Sequence, residues 1–454
     1  MRPVLTPAEK RRADETAGVP VDVLINRAGA AVARVALKRL GGGYGRTVNV
    51  IAGPGANGAD GRVAADRLRE RGVAVQVFEA LDLPDVLPLA ELVIDAAFGT
   101  GFRDEWRPPA IGNTPVLAVD VPSGVDAATG DAPDWALSAD ATVTFGALSP
   151  GHVLGRGSAL VGDVTVADIG LPPGQPTMFV VDGDDVARWL PKRARDAHKW
   201  AAAVRVIAGG PGMTGAGHLC SAAALRAGSG MVAVSSPGVD ADAPIEAIDR
   251  RISPFDWADT VLADLHRYHA LVVGPGLGRE EYTIPSVVRM VLESVVPIVV
   301  DGDGLFALSW NEEGNASFLA DCTVPTVLTP HDGEYSQLTG RPPGSDRIAA
   351  AHELADLTGA TVLLKGPTTV VAAPGGGTLL VTNGSAKLAT AGTGDVLAGI
   401  VGAFLAQGVP PAFAAAAAAW VHADAAERVR HGLLAGDLLE VIPTVIDSVF
   451  EQVS

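Results

Sequence analysis

Apolar residues recur at helical spacing from Pro20 through Val23, Leu24, Ala28, Ala31, Val32, Val35 and Ala36, and the pattern stops at Gly41-Gly42-Gly43. That spacing predicts one buried helix face closed by a glycine C-terminus. Short β-rich runs then alternate with helical stretches: Val48 to Ala52, a helix near Asp60 to Arg71, Val73 to Phe78, Leu92 to Ala96, Val116 to Val121 and Ala141 to Phe145. The alternation predicts a parallel sheet with helices on both faces, in the doubly wound style. Around Asp182 to Lys199 the chain turns polar, and a second series follows: Val204 to Ala208, Leu271 to Val273, Ile298 to Asp301, Thr326 to Thr329 and Thr361 to Lys365. A hairpin is expected through Thr369 to Val381, turning at Pro374-Gly375-Gly376-Gly377, with closing helices at Ala412 to Arg430 and about Leu433 to Phe450. Two α/β domains are therefore expected, residues 1–190 and 191–454.

Composition agrees with this reading. A chain of 454 residues predicts two or three domains, and 54 glycines, 32 prolines and 5% aromatic residues suit many tight strand-to-helix turns. The net charge of −18 is spread along both halves and argues against nucleic acid or anionic membrane as a partner. With Cys220 and Cys322 alone, neither a disulfide framework nor a thiolate metal site is expected. The segment MRPVLTPAEKRRADETAG lacks a signal-peptide core and no apolar run reaches membrane-spanning length, so a soluble cytoplasmic protein is expected.

The densest chemistry lies in Thr390-Ala391-Gly392-Thr393-Gly394-Asp395, immediately before the apolar run Val396 to Ile400. Glycines let backbone N–H groups approach an anion, and a helix start adds its positive dipole end. A carboxylate beside a bound phosphate suits a general base that takes a hydroxyl proton, which makes Asp395 the candidate. Other expected strands of this half end in GPGLG (274–278), Asp301-Gly302-Asp303, Thr329-Pro330-His331-Asp332-Gly333-Glu334 and Lys365-Gly366-Pro367-Thr368-Thr369. Ligands of open α/β sheets bind beyond the carboxyl ends of the strands, so these segments should converge. Lys365 suits phosphate oxygens, Asp303 or Glu334 suits Mg²⁺, and His331 suits a polar substrate.

In the first half, Gly53-Pro54-Gly55-Ala56-Asn57-Gly58-Ala59-Asp60-Gly61 stands between an expected strand and helix, as a phosphate-binding turn requires. Two further strands end in Asp95-Ala96-Ala97-Phe98-Gly99 and Asp120-Val121-Pro122-Ser123-Gly124. Oxygens of Asn57, Asp95 and Ser123 would suit a hard monovalent cation, with Asp120 aimed at the same crevice.

From about Arg195 onward, His198-Lys199, GGPGMTGA (209–216), GPGLG, TPHDGE, KGPTT and LATAGTGDVLAG (388–399) resemble the ADP-dependent NAD(P)H-hydrate dehydratases of the ribokinase-like superfamily. The resemblance implies dehydration of the S form of NADHX or NADPHX, driven by cleavage of ADP to AMP and phosphate, with Mg²⁺. It assigns the nucleotide to Lys365, Gly366, Pro367, Thr368, Thr369 and Gly394. It assigns the hydrated cofactor to Ala216, Gly276, His331 and Asp395. Residues 1 to about 170 are similar to the NAD(P)H-hydrate epimerase domain. That likeness implies substrate contacts from Ala56, Asn57, Gly58, Ala59 and Asp60, from Gly99, Thr100, Gly101, Phe102, Arg103, Asp104 and Glu105, and from Asp120. It also implies K⁺ at Asn57, Asp95 and Ser123, and Asp120 as the base that interconverts R and S hydrates.

Several positions depart from the pattern. Trp200 replaces a common glycine, Ala56 an asparagine and Ala59 a glycine, and Ser149 stands where lysine is common, which removes a cation from the first site. Two other readings follow from the same residues: an ATP-dependent kinase of a small hydroxymethyl compound, and a first half that binds without catalysis. The resemblance and the alanine-rich helices also imply a homo-oligomer.

Overall fold

The computed structural model describes residues 1–99, 106–171, 174–310 and 316–452. It divides into two compact units, Arg2–Met178 and Phe179–Ser454, the latter grouped with Met1. The division falls before the expected boundary at 190/191, because Val181, Val186 and Leu190 are buried in the core of the second unit.

In the first unit six strands lie in the order Ala74–Glu79, Thr47–Ala52, Leu92–Ala96, Val116–Val119, Ala141–Phe145, Asp163–Ala167, every pairing parallel. Alternate strand residues point to opposite faces, so Val48, Val50, Ile94, Leu117 and Val119 meet the apolar stripe of helix Val21–Leu40 and of helix Ala56–Arg69. On the other face Ile51, Val93, Val116 and Ala118 pack against Ala80, Leu87, Trp106, Leu137 and Ala139, which belong to irregular segments. The helices expected on that face are thus replaced by loops. Helix Val21–Leu40 ends as expected at Gly41, whose φ of 68° suits a residue without a Cβ.

In the second unit the sheet runs Ile248–Asp249, Met231–Ser235, Ala203–Ile207, Ala270–Val273, Ile298–Val300, Thr326–Leu328, Thr361–Leu364, Thr369–Ala372, Thr378–Val381, Met178–Val180. Pairings from Ile248–Asp249 through Thr361–Leu364 are parallel and the next two are antiparallel, the second of them, Thr369–Ala372 with Thr378–Val381, being the expected hairpin. Helices Thr214–Arg226, Thr393–Ala406, Pro411–Arg428 and Ala435–Gln452 cover one face over a continuous apolar core. Strand residues of the opposite parity, among them Leu271, Val273, Ile298, Val300 and Leu328, are also fully buried, as a parallel sheet covered on both sides requires. The alanine run at 414–419 is buried, its small side chains permitting close helix packing. No helix among the described residues is long and apolar enough to cross a membrane.

Candidate active sites

Parallel register brings the strand ends of the second unit side by side. Asp301 follows Val300, Thr329 follows Leu328 and Lys365 follows Leu364; the Lys365 N–H donates to Pro330 O at 2.8 Å. The Lys365 ammonium lies 2.8 Å from Asp301 Oδ1 and 3.5 Å from Glu334 Oε2, and the Thr329 hydroxyl donates to the same Asp301 oxygen at 2.7 Å. Burial alone would lower the Lys365 pKa, but Asp301 and Glu334 outweigh it and raise it, so the ammonium stays charged.

Gly392 caps helix Thr393–Ala406 at φ 90°, a conformation that favours glycine, and a Cβ there would lie 2.7 Å from Leu219 Cδ1, so any side chain would also have to displace that leucine. The Thr393 hydroxyl ties the turn down by donating to Leu388 O and Thr390 O, at 2.8 and 2.9 Å. A Cβ at Gly394 would stand 3.7 Å from Lys365 Nζ and 3.8 Å from Asp301 Oδ2, which places the helix start directly over the strand ends. Asp395, in the first turn, has its pKa pushed up to about 7; burial is the main cause, Asp301, Asp303 and Glu334 add to it, and Lys365 opposes. A carboxyl poised near neutrality is suited to proton transfer.

Gly276, at φ 57°, sits against Ala216: a Cβ on the glycine would lie 2.7 Å from that of Ala216. Backbone bonds from Gly209 to Pro275 O (2.8 Å) and Gly210 to Gly276 O (2.6 Å) join the two glycine loops. In the KGPTT segment Thr368 is buried, Gly366 and Pro367 are exposed and Thr369 opens a strand. His331 has a role its motif did not suggest. Its Nδ1 accepts the N–H groups of Gly333 and Glu334 at 3.0 and 3.1 Å, capping helix Asp332–Thr339, while most of the ring stays exposed. Asp303 is held by Arg279 Nε (2.9 Å) and the Gly278 N–H (3.0 Å). Sequence reading missed Arg347, whose guanidinium donates to Lys365 O at 2.7 Å, and buried His422, whose pKa is lowered to about 4, chiefly by burial. Trp200, the departure after His198-Lys199, packs edge-on against Tyr268 with ring centroids 5.9 Å apart.

In the first unit the glycine turn enters helix Ala56–Arg69 directly. A Cβ at Gly58 would lie 1.8 Å from Gly53 O, and one at Gly53 1.7 Å from Ala97 O, so the turn admits no side chain at either position. Asn57 donates to Val119 O at 2.7 Å and abuts Gly99, while exposed Ala56 and half-buried Ala59 flank it. Asp95 is fully buried: its Oδ1 accepts the Ser123 hydroxyl at 2.6 Å and its Oδ2 the Ser123 N–H at 2.7 Å. Burial raises its pKa against those bonds. Thr100, Gly101, Phe102, Arg103, Asp104 and Glu105 lie outside the described residues.

Asp120 adopts φ 64°, a left-handed conformation unusual for a residue with a side chain. Its Oδ1 receives Lys10 Nζ at 3.2 Å and the Thr144 hydroxyl at 2.9 Å, and its carbonyl oxygen lies 2.6 Å from His152 Nε2. Burial opposes ionisation of Asp120, yet Lys10, His152 and Thr144 prevail and lower its pKa. Asp60 is driven the other way, up to about 8, by burial and by Asp120 and Asp14. One carboxyl is thus ionised and its neighbour protonated at neutral pH. Lys10, Thr144 and His152 carried no sequence signal as site residues.

Residues 204–444 match the profile of the NAD(P)H-hydrate dehydratase family, and residues 21–86 and 79–151 that of the YjeF-related protein N-terminus. The bifunctional NAD(P)H-hydrate repair enzyme Nnr of Mycobacterium leprae is 38% identical over 90% of this chain and 90% of its own. The Nnr of Moorella thermoacetica is 33% identical over 99% and 98%. Among solved structures, the ADP/ATP-dependent NAD(P)H-hydrate dehydratase of Bacillus subtilis, co-crystallised with ATP and Mg²⁺, is 28% identical with a TM-score of 0.50, covering 59% of this chain and 97% of that one. A ribokinase-like superfamily protein of Enterococcus faecalis shares the fold of the second unit at TM-score 0.52 and 23% identity, over 60% of this chain and 96% of its own. Both halves of the chain and their order are those of one protein family, and this chain belongs to the bifunctional NAD(P)H-hydrate repair enzymes.

Proposed function

We propose that the chain returns hydrated nicotinamide cofactors to NAD(P)H in two steps: epimerisation of the R and S hydrates in the first unit, and nucleotide-driven dehydration of the S form in the second. The observation that carries the second step is Asp395, held near neutrality within the first turn of a helix that starts over Lys365 and Asp301. Asp395 takes the proton of the substrate hydroxyl as its oxygen attacks the β-phosphorus of ADP, and the phosphoanhydride bond to AMP breaks. Charge on the transferred phosphoryl group is met by Lys365 and by the N–H groups of the Gly392–Gly394 turn. The ring-nitrogen electron pair then expels phosphate, and loss of a ring proton restores the dihydropyridine. Among the described residues no three histidine, cysteine or carboxylate side chains converge on one metal position. Mg²⁺ would therefore be held chiefly by phosphate oxygens and water, with Asp303 or Glu334 contributing, and would neutralise phosphate charge.

In the first unit, Asp60 and Asp120 are an acid and a base whose surroundings push their pKa values apart. Asp60 protonates the departing hydroxyl, the ring nitrogen supplies the electrons, and water returns to the opposite face while Asp120 takes its proton. The buried Asp95 carboxylate with Ser123 and Asn57 offers an all-oxygen set that fits K⁺, which would fix the glycine turn against the Asp120 strand end. Product analysis tests the proposal. AMP, phosphate and restored NAD(P)H in equal amounts are expected from the S hydrate; a stable phosphorylated product would instead mark a small-molecule kinase.

A further inference from the structure

The N-terminal helix Pro7–Thr16 has one buried residue, Ala13, and no apolar stripe that would require its presence for packing. It is nevertheless firmly placed. The Leu5 N–H donates to Leu148 O at 2.9 Å, and a reciprocal cap joins Thr6 to Glu9, with Thr6 N to Glu9 Oε2 at 2.7 Å. This anchoring, next to Ser149 in sequence, delivers Lys10 into the first site with its side chain 15% exposed. There Nζ donates to Asp120 Oδ1 at 3.2 Å and to Thr144 Oγ1 at 2.9 Å, and Thr144 donates to the same Asp120 oxygen at 2.9 Å. The three groups close a ring on Oδ1 that leaves the other carboxylate oxygen out of these bonds. Ser149, beside that anchor, is fully buried and brings no charge to the site.

We infer that Lys10 is a fixed cation of the first site, a positioning residue that holds Asp120 ionised and oriented for epimerisation. The inference rests on the epimerase reading of this unit. Among the described residues, the groups that set the charge balance around Asp120 are Lys10 and Asp14 on the N-terminal helix, Asp60 on helix Ala56–Arg69 and His152 beyond the next strand. Lys10 is foremost among those that favour the ionised form. A neutral residue at position 10 would leave a buried carboxylate beside two acidic neighbours, and Asp120 would keep its proton to higher pH.

The test uses the full chain, as wild type and as Lys10→Met and Lys10→Arg. Conversion of purified R hydrate to S is followed chromatographically against pH without nucleotide, and dehydration of S hydrate serves as the control for an intact second unit. Lys10→Met is expected to move the acid limb of epimerisation upward by about one to three pH units and to slow it about tenfold or more at neutral pH. Lys10→Arg should keep the limb near its wild-type position. Titration of the Asp120 carboxyl by ¹³C NMR, assigned with Asp120→Asn, should show the same upward movement in Lys10→Met. An unchanged Asp120 titration in Lys10→Met, or equal loss of epimerisation in the Met and Arg variants, would overturn the inference. A wild type that does not epimerise at any pH would refute the epimerase reading instead, and the carboxyl titration would still decide the role of Lys10.

Discussion

Replacing Asp301 by asparagine gives a quantitative test of Asp395 as the proposed base of the second site. With the Asp395 pKa at about 7, the ionised, active fraction falls to ~10% at pH 6 and rises to ~90% at pH 8. The kcat/KM of dehydration, which reports the free enzyme, should therefore climb about tenfold between those values and then level off. After burial, the Asp301 charge is the largest cause of the elevation. Asp301→Asn keeps the shape and the Thr329 bond but removes that charge, and it frees Lys365 from its 2.8 Å partner. Both changes favour ionised Asp395, so the acid limb should move down by about one to two units, equal to ~1.4–2.7 kcal/mol. Stopped samples of S hydrate with ADP and Mg²⁺, read by nicotinamide absorbance from pH 5 to 9, give both profiles. An acid limb that stays in place or moves upward in Asp301→Asn would refute the assignment of that limb to Asp395.

Three further outcomes follow from the geometry. Asp120→Ala should abolish epimerisation and leave dehydration of S hydrate unchanged; concurrent loss of both in a folded protein would contradict separate sites. Gly392→Val meets a disfavoured positive φ and the Leu219 side chain, so a loss of about 2 kcal/mol or more in stability and a steep fall in dehydration are expected in urea melts and turnover assays. Buried His422 is neutral in the fold, with its pKa lowered to about 4, whereas the unfolded chain protonates it near 6.5. The stability tied to its neutrality is thus present above about pH 6.5 and lost as pH falls toward 4, by up to ~3 kcal/mol. His422→Leu should remove that portion of the pH dependence, and parallel stability profiles for the two proteins would contradict it.

Residues whose position follows from strand alternation were legible in the sequence. Asp95, Asp120, Asp301 and Lys365 each stand just after or at the end of a short buried parallel strand, and Gly392 announces a turn that favours glycine. Lys10 was not legible, because its helix has almost no buried face and its meeting with Asp120 is a tertiary contact across more than a hundred residues. Arg347 likewise reaches Lys365 from a helix of weak periodicity. Strand Asp163–Ala167 escaped notice since only two of its five residues are even half-buried, as befits a sheet edge. The loop-covered face of the first sheet was read as helical, for strand patterns report that a face is buried and not what covers it.

The central claim is that one chain carries both repair steps, and a mixed R and S NADHX preparation with K⁺ and Mg²⁺ tests it most directly. Near-ultraviolet nicotinamide absorbance should recover for both epimers once ADP is added, with AMP appearing in proportion. Recovery of the S portion alone, the R hydrate persisting beside a folded and active second unit, would contradict the two-step account.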